Sequence, residues 1–273
     1  MNMIKLMAGL IFWLVSQGLT GQNSTICHNR NLAFNGGEKL VYELYYNWNF
    51  IWIPAGTLEM TVEEKPDHYY IKAVGKTHES YNWFFKVHDV FTCEMDKNTL
   101  KPRKFSRDIE EGDYRIKNDI FFNRQTNKVT SYVKINDGKT KAYRFDLSDC
   151  MLDLLSLSYN LRNLDVGHLI DQKIIYTDLI FDEKKYLIPV KYKGKVKNFK
   201  VSGMGQIDVI KVSPDLISGN VFDEGSTMIL YVSDDQNKIP VMIESPIKVG
   251  SVKAILKSWK NLRHPFDLKL KNK

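Results

Sequence analysis

The chain has 273 residues, of which 43% are hydrophobic and 26% are charged, and its formal net charge is +7. This length permits one large hydrophobic core, and all-β chains of this size commonly fold as a single domain. The basic surplus is modest, so it favours anionic surfaces in general and does not indicate a nucleic-acid-binding protein.

The N-terminal region has the three-part pattern of a secretory signal peptide. A lone cation, Lys5, precedes an apolar run over residues 6–15, and small and polar residues follow. The run is shorter than the roughly 20 apolar residues that a membrane-spanning helix needs. We therefore expect cleavage near Gly18 or Gly21 and an exported protein of the bacterial periplasm or outer-membrane periphery.

Period-two alternation of apolar and polar residues dominates the chain after Gly37 and predicts β-strands. In residues 57–63, Leu, Met and Val occupy one face while Thr and Glu occupy the other. The preceding Pro54-Ala55-Gly56 has the composition of a turn. The same alternation predicts strands over residues 69–77, 86–95, 103–109, 114–123, 128–135, 139–145, 172–180, 185–192, 195–201, 206–212, 227–233, 239–244 and 250–259.

Residues 148–163 break the alternation, because apolar side chains surround most of a helical circumference there. Ser148 and Asp149 are candidate N-caps, and Arg162 suits the negative end of the helix dipole. A helix that is apolar almost all round is normally buried. We therefore predict an all-β, mainly antiparallel fold, a strongly curved meander sheet or barrel-like fold with one buried helix near residues 149–163.

No composition shift or low-complexity tract marks a second domain. We expect a signal peptide over residues 1–21, an N-terminal extension over 22–36, a single antiparallel β domain over 37–262 and a basic tail over 263–273. The tail reads as poorly packed.

The most unusual local feature is an aromatic segment between residues 42 and 52. If it forms one strand, its even positions share a single bulky face. Such a face lines a cavity for a lipid or a sugar, or it fills the interior of a barrel-like sheet. The candidate ligand-binding residues of this segment are Tyr46, Trp48, Phe50 and Trp52.

An ordered set of segments runs through the chain: Phe34 with residues 37–42, residues 45–46 and 54–57, a central helix over 153–162, and a closing hairpin over 239–254. Together these segments resemble a bacterial family designated domain of unknown function 3108. The resemblance implies an exported envelope protein without assigned chemistry. The aromatic segment is enlarged relative to that pattern, so a shared ligand does not follow.

Three polar residues within these segments, Glu38, Tyr159 and Arg162, are further candidates for ligand binding. An Arg at the end of a buried helix that pairs with a Glu is equally typical of a purely structural arrangement. The sequence therefore leaves both roles open for these residues.

Catalytic and metal-binding patterns are missing. The sequence has no nucleophile elbow, phosphate loop or zincin helix, and the pairs Glu110-Glu111 and Asp234-Asp235 fall in predicted turns, where acids are usually solvated. His68, His78 and His88 recur every ten residues without a closer ligand pair. We predict no catalytic residue, metal or cofactor.

The chain has three cysteines, too few for a disulfide framework. A bridge between Cys93 and Cys150 is one hypothesis, and buried free thiols are the other. Cys27 leaves a lipoprotein as an alternative to the signal peptide, although the bulky Ile26 before it disfavours lipidation.

Three functions remain compatible with the sequence. The first is an exported, non-catalytic envelope protein that binds a lipid, glycolipid or other amphiphile in a curved sheet. The second is a structural or interaction module with an envelope protein partner, and the third is a glycan hydrolase whose acid pair is distant in sequence. An integral outer-membrane barrel is disfavoured, because many predicted strands carry Lys and Glu on one face.

Overall fold

A computed structural model describes residues 30–48, 51–81, 83, 86–215, 227–247 and 250–270. Strands dominate these residues, and two short α-helices and a three-residue 3₁₀-helix (Glu79–Tyr81) interrupt them. The strands are β1 (Lys39–Trp48), β2 (Ile51–Glu64), β3 (His68–Thr77), β4 (Val87–Asp96), β5 (Pro102–Glu111), β6 (Tyr114–Asn123), β7 (Lys128–Ile135), β8 (Lys141–Asp146), β9 (Met151–Leu152), β10 (Ile174–Phe181), β11 (Lys184–Val201), β12 (Gly205–Pro214), β13 (Ile229–Ser233), β14 (Pro240–Pro246), β15 (Ser251–Lys260) and β16 (Lys269–Leu270). The helices are α1 (Leu154–Arg162) and α2 (Val166–Gln172).

These strands form one hydrogen-bonded sheet, which confirms the predicted mainly antiparallel fold. Its order is β8-β7-β6-β5-β4-β3-β2-β1-β15-β14-β13-β12-β11-β10-β9, and β16 pairs with β12. Sequential hairpins build each half, and pairing of β1 with β15 joins the halves. The one parallel pair among the described strands is β9 with β10.

Alternation along each strand decides which side faces the core. In β6, Ile116, Asn118, Ile120 and Phe122 are buried, and the residues between them are half-buried or exposed. Because a strand turns successive side chains to opposite faces, this pattern gives the sheet a buried inner face and a wetter outer face.

Helix α1 lies against the inner face and contributes to two hydrophobic clusters. Leu155 and Tyr159 pack with the side chains of β2 to β7, whereas Leu157 packs with those of β10 to β12. The buried helix is confirmed, and it lies between the apolar surfaces of the two halves of the sheet.

The helix begins later than predicted, at Leu154, so Ser148 and Asp149 are not its caps. Met151 and Leu152 are buried and instead form β9, which pairs in parallel with β10. The N-cap is Asp153, whose carboxylate accepts hydrogen bonds from the Leu155 and Ser156 amides at 2.8 and 3.0 Å. Helix α2, capped by Asp165, was not predicted.

The predicted turn at residues 54–56 is wrong, because these residues lie inside β2. Leu44 pairs with Gly56 and Tyr45 with Pro54, so Ala55 is the extra residue of a bulge. A Cβ on Gly56 would lie 2.2 Å from the Lys76 carbonyl oxygen. The glycine therefore permits close strand approach and does not mark a reversal.

The structure also describes the surroundings of the cysteines and of the C-terminal stretch. Cys93 is a buried free thiol whose Sγ lies 3.3 Å from Asp153 Oδ2, while Cys150 is disulfide-bonded, so these two cysteines do not pair. The stretch after residue 263 is packed as far as Leu270. His264 hydrogen-bonds the Leu32 carbonyl at 2.6 Å, and Phe266 contacts Trp259 edge-on.

Candidate functional site

An interior cavity of about 120 Å³ lies between helices α1 and α2 and the inner face of the sheet. Its wall is mainly apolar, with contributions from strands of both halves of the sheet. The lining residues are Leu40, Tyr42, Leu58, Met60, Ser158, Tyr159, Leu161, Arg162, Leu164, Val166, Leu169, Val190, Ile210, Val212, Leu230, Val232, Lys238, Pro240 and Ile243.

The cavity is large enough for a small apolar group. An engineered aliphatic cavity of about 150 Å³ in another protein stays dry and binds benzene. Leu161, Val166 and Ile243 on the wall are only half-buried, and Ser158 is exposed. A bound molecule can therefore extend from the interior towards solvent on this side.

Tyr159 supplies an unused hydrogen-bonding group to this wall. The residue is 1% exposed, and its hydroxyl has no hydrogen-bond partner among the residues that the structure describes. Burial, with the nearby Glu38 carboxylate, raises the pKa of Tyr159 well above its usual value, so the hydroxyl stays a donor. A buried hydroxyl without a partner costs free energy that a bound acceptor would recover.

Lys238 places a cationic side chain on the same wall. It is half-buried and forms no ion pair with any residue in the described part of the chain. Burial lowers the pKa of its ammonium, and neighbouring acids such as Asp235 oppose that shift. An anionic group at this position would offset the loss of hydration.

Arg162 also lines the cavity, but each of its three side-chain nitrogens already donates a hydrogen bond within the protein. It bonds both oxygens of Glu38 at 2.5 and 2.8 Å, and the backbone carbonyls of Asn237 and Ala33 at 3.0 and 3.2 Å. Burial alone would lower the pKa of Arg162, yet the Glu38 carboxylate raises it overall. The pair ties helix α1 to the segment before β1 and to the turn before β14.

The structure thus brings together three of the predicted site residues, Glu38, Tyr159 and Arg162. Phe34 packs edge-on against Tyr159, with ring centroids 4.8 Å apart. Of this group, the geometry leaves only the Tyr159 hydroxyl available to a ligand. Their role in binding stays a prediction.

Residues 42–52 do not form the single strand that was considered from the sequence, because Trp48 of β1 and Ile51 of β2 pair with each other in an antiparallel hairpin. Tyr46 remains on the inner-face side of β1, with Tyr42. Trp52 pairs with Asn47 and lies on the outer face, where the Lys253 ammonium is 4.0 Å from its ring centroid. The Trp48 side chain and Phe50 lie outside the described residues.

A second polar cluster lies on the inner face, where β4 begins and β5 ends. Asp89 and Glu111 share a side-chain hydrogen bond. Burial, and for Glu111 the neighbouring Asp89, raise the pKa of Asp89 to about 7 and that of Glu111 to about 8. The two carboxyl groups therefore hold a shared proton near neutral pH.

Arg107, which is 9% exposed, lies beside this acid pair. It forms an ion pair with Asp182, and its guanidinium carbon lies 4.2 Å from the Phe181 ring centroid. Arg107 Nε and Glu111 Oε2 have no hydrogen-bond partner among the described residues. Burial lowers the pKa of Arg107 to about 10, so the guanidinium remains charged at neutral pH.

Neither cluster has the geometry of the enzymes weighed from the sequence. Glycoside hydrolases separate their carboxyl groups by about 5 Å or more, whereas Asp89 and Glu111 are hydrogen-bonded. Within the described ranges, no group of three or more His, Cys, Asp or Glu could hold a metal. His68 and His78 instead contact Asp67 and Glu43, at 2.8 and 2.6 Å.

Sequence reasoning missed both Lys238 and the Arg107 cluster. Glu111 was assigned to a solvated turn, but it is the last residue of β5 and is 8% exposed. A usable signal was present, because Arg107 and Glu111 alternate with Phe105 and Ile109 on one strand face. Charged residues on an otherwise apolar face require partners.

The fold is similar to a crystal structure described as a beta-barrel-like protein of domain of unknown function DUF1849 from Brucella abortus, with a TM-score of 0.55 and 13% identity. The similarity covers 84% of this chain and 99% of that one, and it concerns the fold alone.

Residues 41–257 match the model of the family described as "Protein of unknown function (DUF3108)". The chain therefore belongs to this family, as its sequence segments suggested. No curated protein matches the chain. No helix in the described part of the chain is long and apolar enough to cross a membrane.

Proposed function

We propose that this protein binds the acyl chain of an anionic amphiphile in the cavity between helices α1 and α2 and the sheet. The observation that carries the proposal is the buried, unpartnered hydroxyl of Tyr159 in an aliphatic wall that also holds Lys238. Ligand sites are typically apolar concavities with a few placed polar groups. The protein acts as a binding protein and not as a catalyst.

Different side chains of the wall bind different parts of the ligand. The aliphatic side chains take the hydrocarbon segment, and the Tyr159 hydroxyl donates to an oxygen of the ligand. Lys238 supplies the cation for a carboxylate or phosphate. Arg162 holds the wall in place through Glu38, because each of its side-chain nitrogens already donates within the protein.

We further propose that binding takes place in the bacterial cell envelope. The N-terminal pattern of a cation followed by a short apolar run supports export. Mass analysis of the protein purified from cell fractions tests this. A mature N-terminus between residues 18 and 23 in the envelope fraction supports export, and an intact Met1 in the cytoplasmic fraction contradicts it.

Titration calorimetry with sodium decanoate, and with decan-1-ol as its neutral counterpart, tests the binding site. Both should bind the wild-type chain. Substitution of Lys238 by Met should weaken decanoate about tenfold, the cost of losing one charge-assisted hydrogen bond, and leave decan-1-ol unchanged. Lys253→Met, on the outer face, is the matched control and should bind like the wild type.

A cavity-filling pair of variants locates the site. Val232→Phe adds bulk to the lining and should abolish binding of both probes. Val196→Phe adds the same bulk to a half-buried valine outside the lining and should preserve binding. Binding that survives in Val232→Phe, or no binding by the wild type, overturns the proposed site.

A further inference from the structure

The hairpin between β10 and β11 is held down at its tip by a buried charge cluster. Its tip residues, Phe181 and Asp182, reach across to the inner face of β5 and β7. Arg107 of β5 pairs with the Asp182 carboxylate and stacks on Phe181, and Ser131 Oγ of β7 donates to the Asp182 carbonyl at 2.6 Å. Phe181 and Asp182 are 6% and 3% exposed, so these two residues of the tip are enclosed.

The acid pair faces the same arginine from β4 and β5. Asp89 and Glu111 are the carboxyl groups, Tyr114 of β6 and Tyr186 of β11 add phenol groups, and Glu183 adds a further acid from the tip. Arg107 thus faces four carboxyl groups, those of Asp89, Glu111, Asp182 and Glu183. The outward-facing neighbours His88, Glu110 and Arg115 lie on the other side of the sheet.

The unpartnered oxygen of Glu111 identifies what the cluster needs. Two ionised carboxylates have only acceptors, so they cannot bond each other, and Glu111 Oε2 has no donor among the described residues. A proton on the pair satisfies this contact and removes one negative charge from the vicinity of Arg107. Without it, Asp89 and Glu111 compete with Asp182 for the same guanidinium.

We infer that the Asp89–Glu111 pair is a proton-controlled latch that docks the β10–β11 hairpin tip when protonated and releases it when ionised. The effect of this latch on ligand release rests on the proposed function. Val190 of β11 lines the cavity, and Ile188 and Leu179 pack in the cluster beside it. Val190 lies six residues, about 20 Å, along the same strand from Lys184 at the tip. Release of the tip therefore loosens one cavity wall and promotes ligand release as pH rises.

Hydrogen exchange of the ligand-free protein tests the latch itself. The backbone amides of residues 179–186, corrected for intrinsic exchange, should exchange about tenfold faster at about pH 9 than at about pH 6. Glu111→Gln removes the ionisable group and should reduce this ratio to about 2 or less. Glu110→Gln, one residue away on the outer face, should retain the wild-type ratio.

A second variant keeps the test decisive if Glu111→Gln perturbs folding. Asp182→Asn breaks the docking contact directly, so its tip should exchange rapidly at both pH values. Equal corrected exchange in the wild type at both pH values, or slow exchange in Asp182→Asn, overturns the latch.

The dissociation rate of decanoate separates the latch from the proposed function. A rate that rises about tenfold with pH in the wild type, but not in Glu111→Gln, supports the coupling. Decanoate that binds and dissociates at a pH-independent rate overturns the coupling and leaves the cavity site standing. A pH-dependent tip in a protein that binds no decanoate overturns the proposed function and leaves the latch standing.

Discussion

Two buried arginines of this protein hold their acidic partners in opposite ways. Arg162 is 4% exposed and places its donors on one carboxylate and two carbonyl groups. Arg107 is 9% exposed, leaves its Nε without a partner among the described residues, and faces several acids at once. The first arrangement is complete, whereas the second depends on a proton.

The difference separates structural from responsive polar groups. A buried ion pair whose hydrogen bonds are all made has no lower-energy state to move to, so it fixes geometry. A cluster with too many acids for its cation changes its interactions when one acid ionises. By this criterion Arg162 shapes the cavity, and the Arg107 cluster controls the hairpin.

The largest effect is expected from breaking the complete pair. Glu38→Gln leaves a buried guanidinium without its counter-charge and should lower the free energy of unfolding by about 3–5 kcal/mol. Urea denaturation measures this change. Glu59→Gln, which breaks an exposed pair with Lys39, should cost about 0.5 kcal/mol or less. A Glu38→Gln cost below about 1 kcal/mol would show that Arg162 does not need its partner.

Next in size is the pH dependence of stability. Asp89 and Glu111 have raised pKa values in the folded protein, so the folded state binds more protons than the unfolded chain between about pH 4 and 8. Their contribution is fully present below about pH 4 and is lost as pH rises through about 8. The free energy of unfolding of the wild type, measured by urea denaturation relative to Glu111→Gln, should therefore decline across this range by at least about 2 kcal/mol. Parallel profiles would exclude a shared proton.

The cap of helix α1 should have an intermediate effect. Asp153→Ala removes the acceptor of two backbone amides and a contact with the Cys93 thiol, and should cost about 2 kcal/mol. Asp165→Ala at the more exposed start of α2 should cost about 0.5–1 kcal/mol. Thermal and urea unfolding of both variants measure the difference, and a reversed order would contradict the assignment of α1 as the central packing element.

A smaller and opposite effect on stability is expected at Tyr159. Tyr159→Phe removes a hydroxyl without a protein partner, so the free energy of unfolding should stay constant or rise by up to about 1 kcal/mol. Decanoate affinity should fall about fivefold to tenfold, the value of one hydrogen bond. A loss of stability without a loss of affinity would assign the hydroxyl to the fold.

The smallest effect is expected at Trp52. Its ring lies on the outer face against Lys253, so Trp52→Leu should change stability by about 0.5 kcal/mol or less and leave decanoate affinity unchanged. A weakened affinity in calorimetry would restore the aromatic segment as part of the ligand site.

The sequence predicts the strands well, because the period of two is a local property that each strand carries alone. The buried helix was also predictable, since residues 151–161 are apolar around the helix axis. Its start was not, because Met151 and Leu152 are equally suited to a strand beside β10, which follows some twenty residues later in the chain. Tertiary pairing decided between two local structures of similar propensity.

The site was predictable only in part. Glu38, Tyr159 and Arg162 were singled out. Glu38 meets the two α1 residues although more than 100 residues of chain separate them. The Arg107 cluster depends on where the β10–β11 tip lands on β5, which no local pattern specifies. The aromatic segment misled because an unrecognised reversal between Trp48 and Ile51 places Trp52 on the opposite face.

Native mass spectrometry of the protein as isolated from its own cells is a direct test of ligand binding in the cavity. The wild type should carry an anionic acyl compound that is released on denaturation, and Val232→Phe isolated in the same way should carry none. A wild-type protein with only its polypeptide mass, or a Val232→Phe protein with the same bound compound, would contradict it.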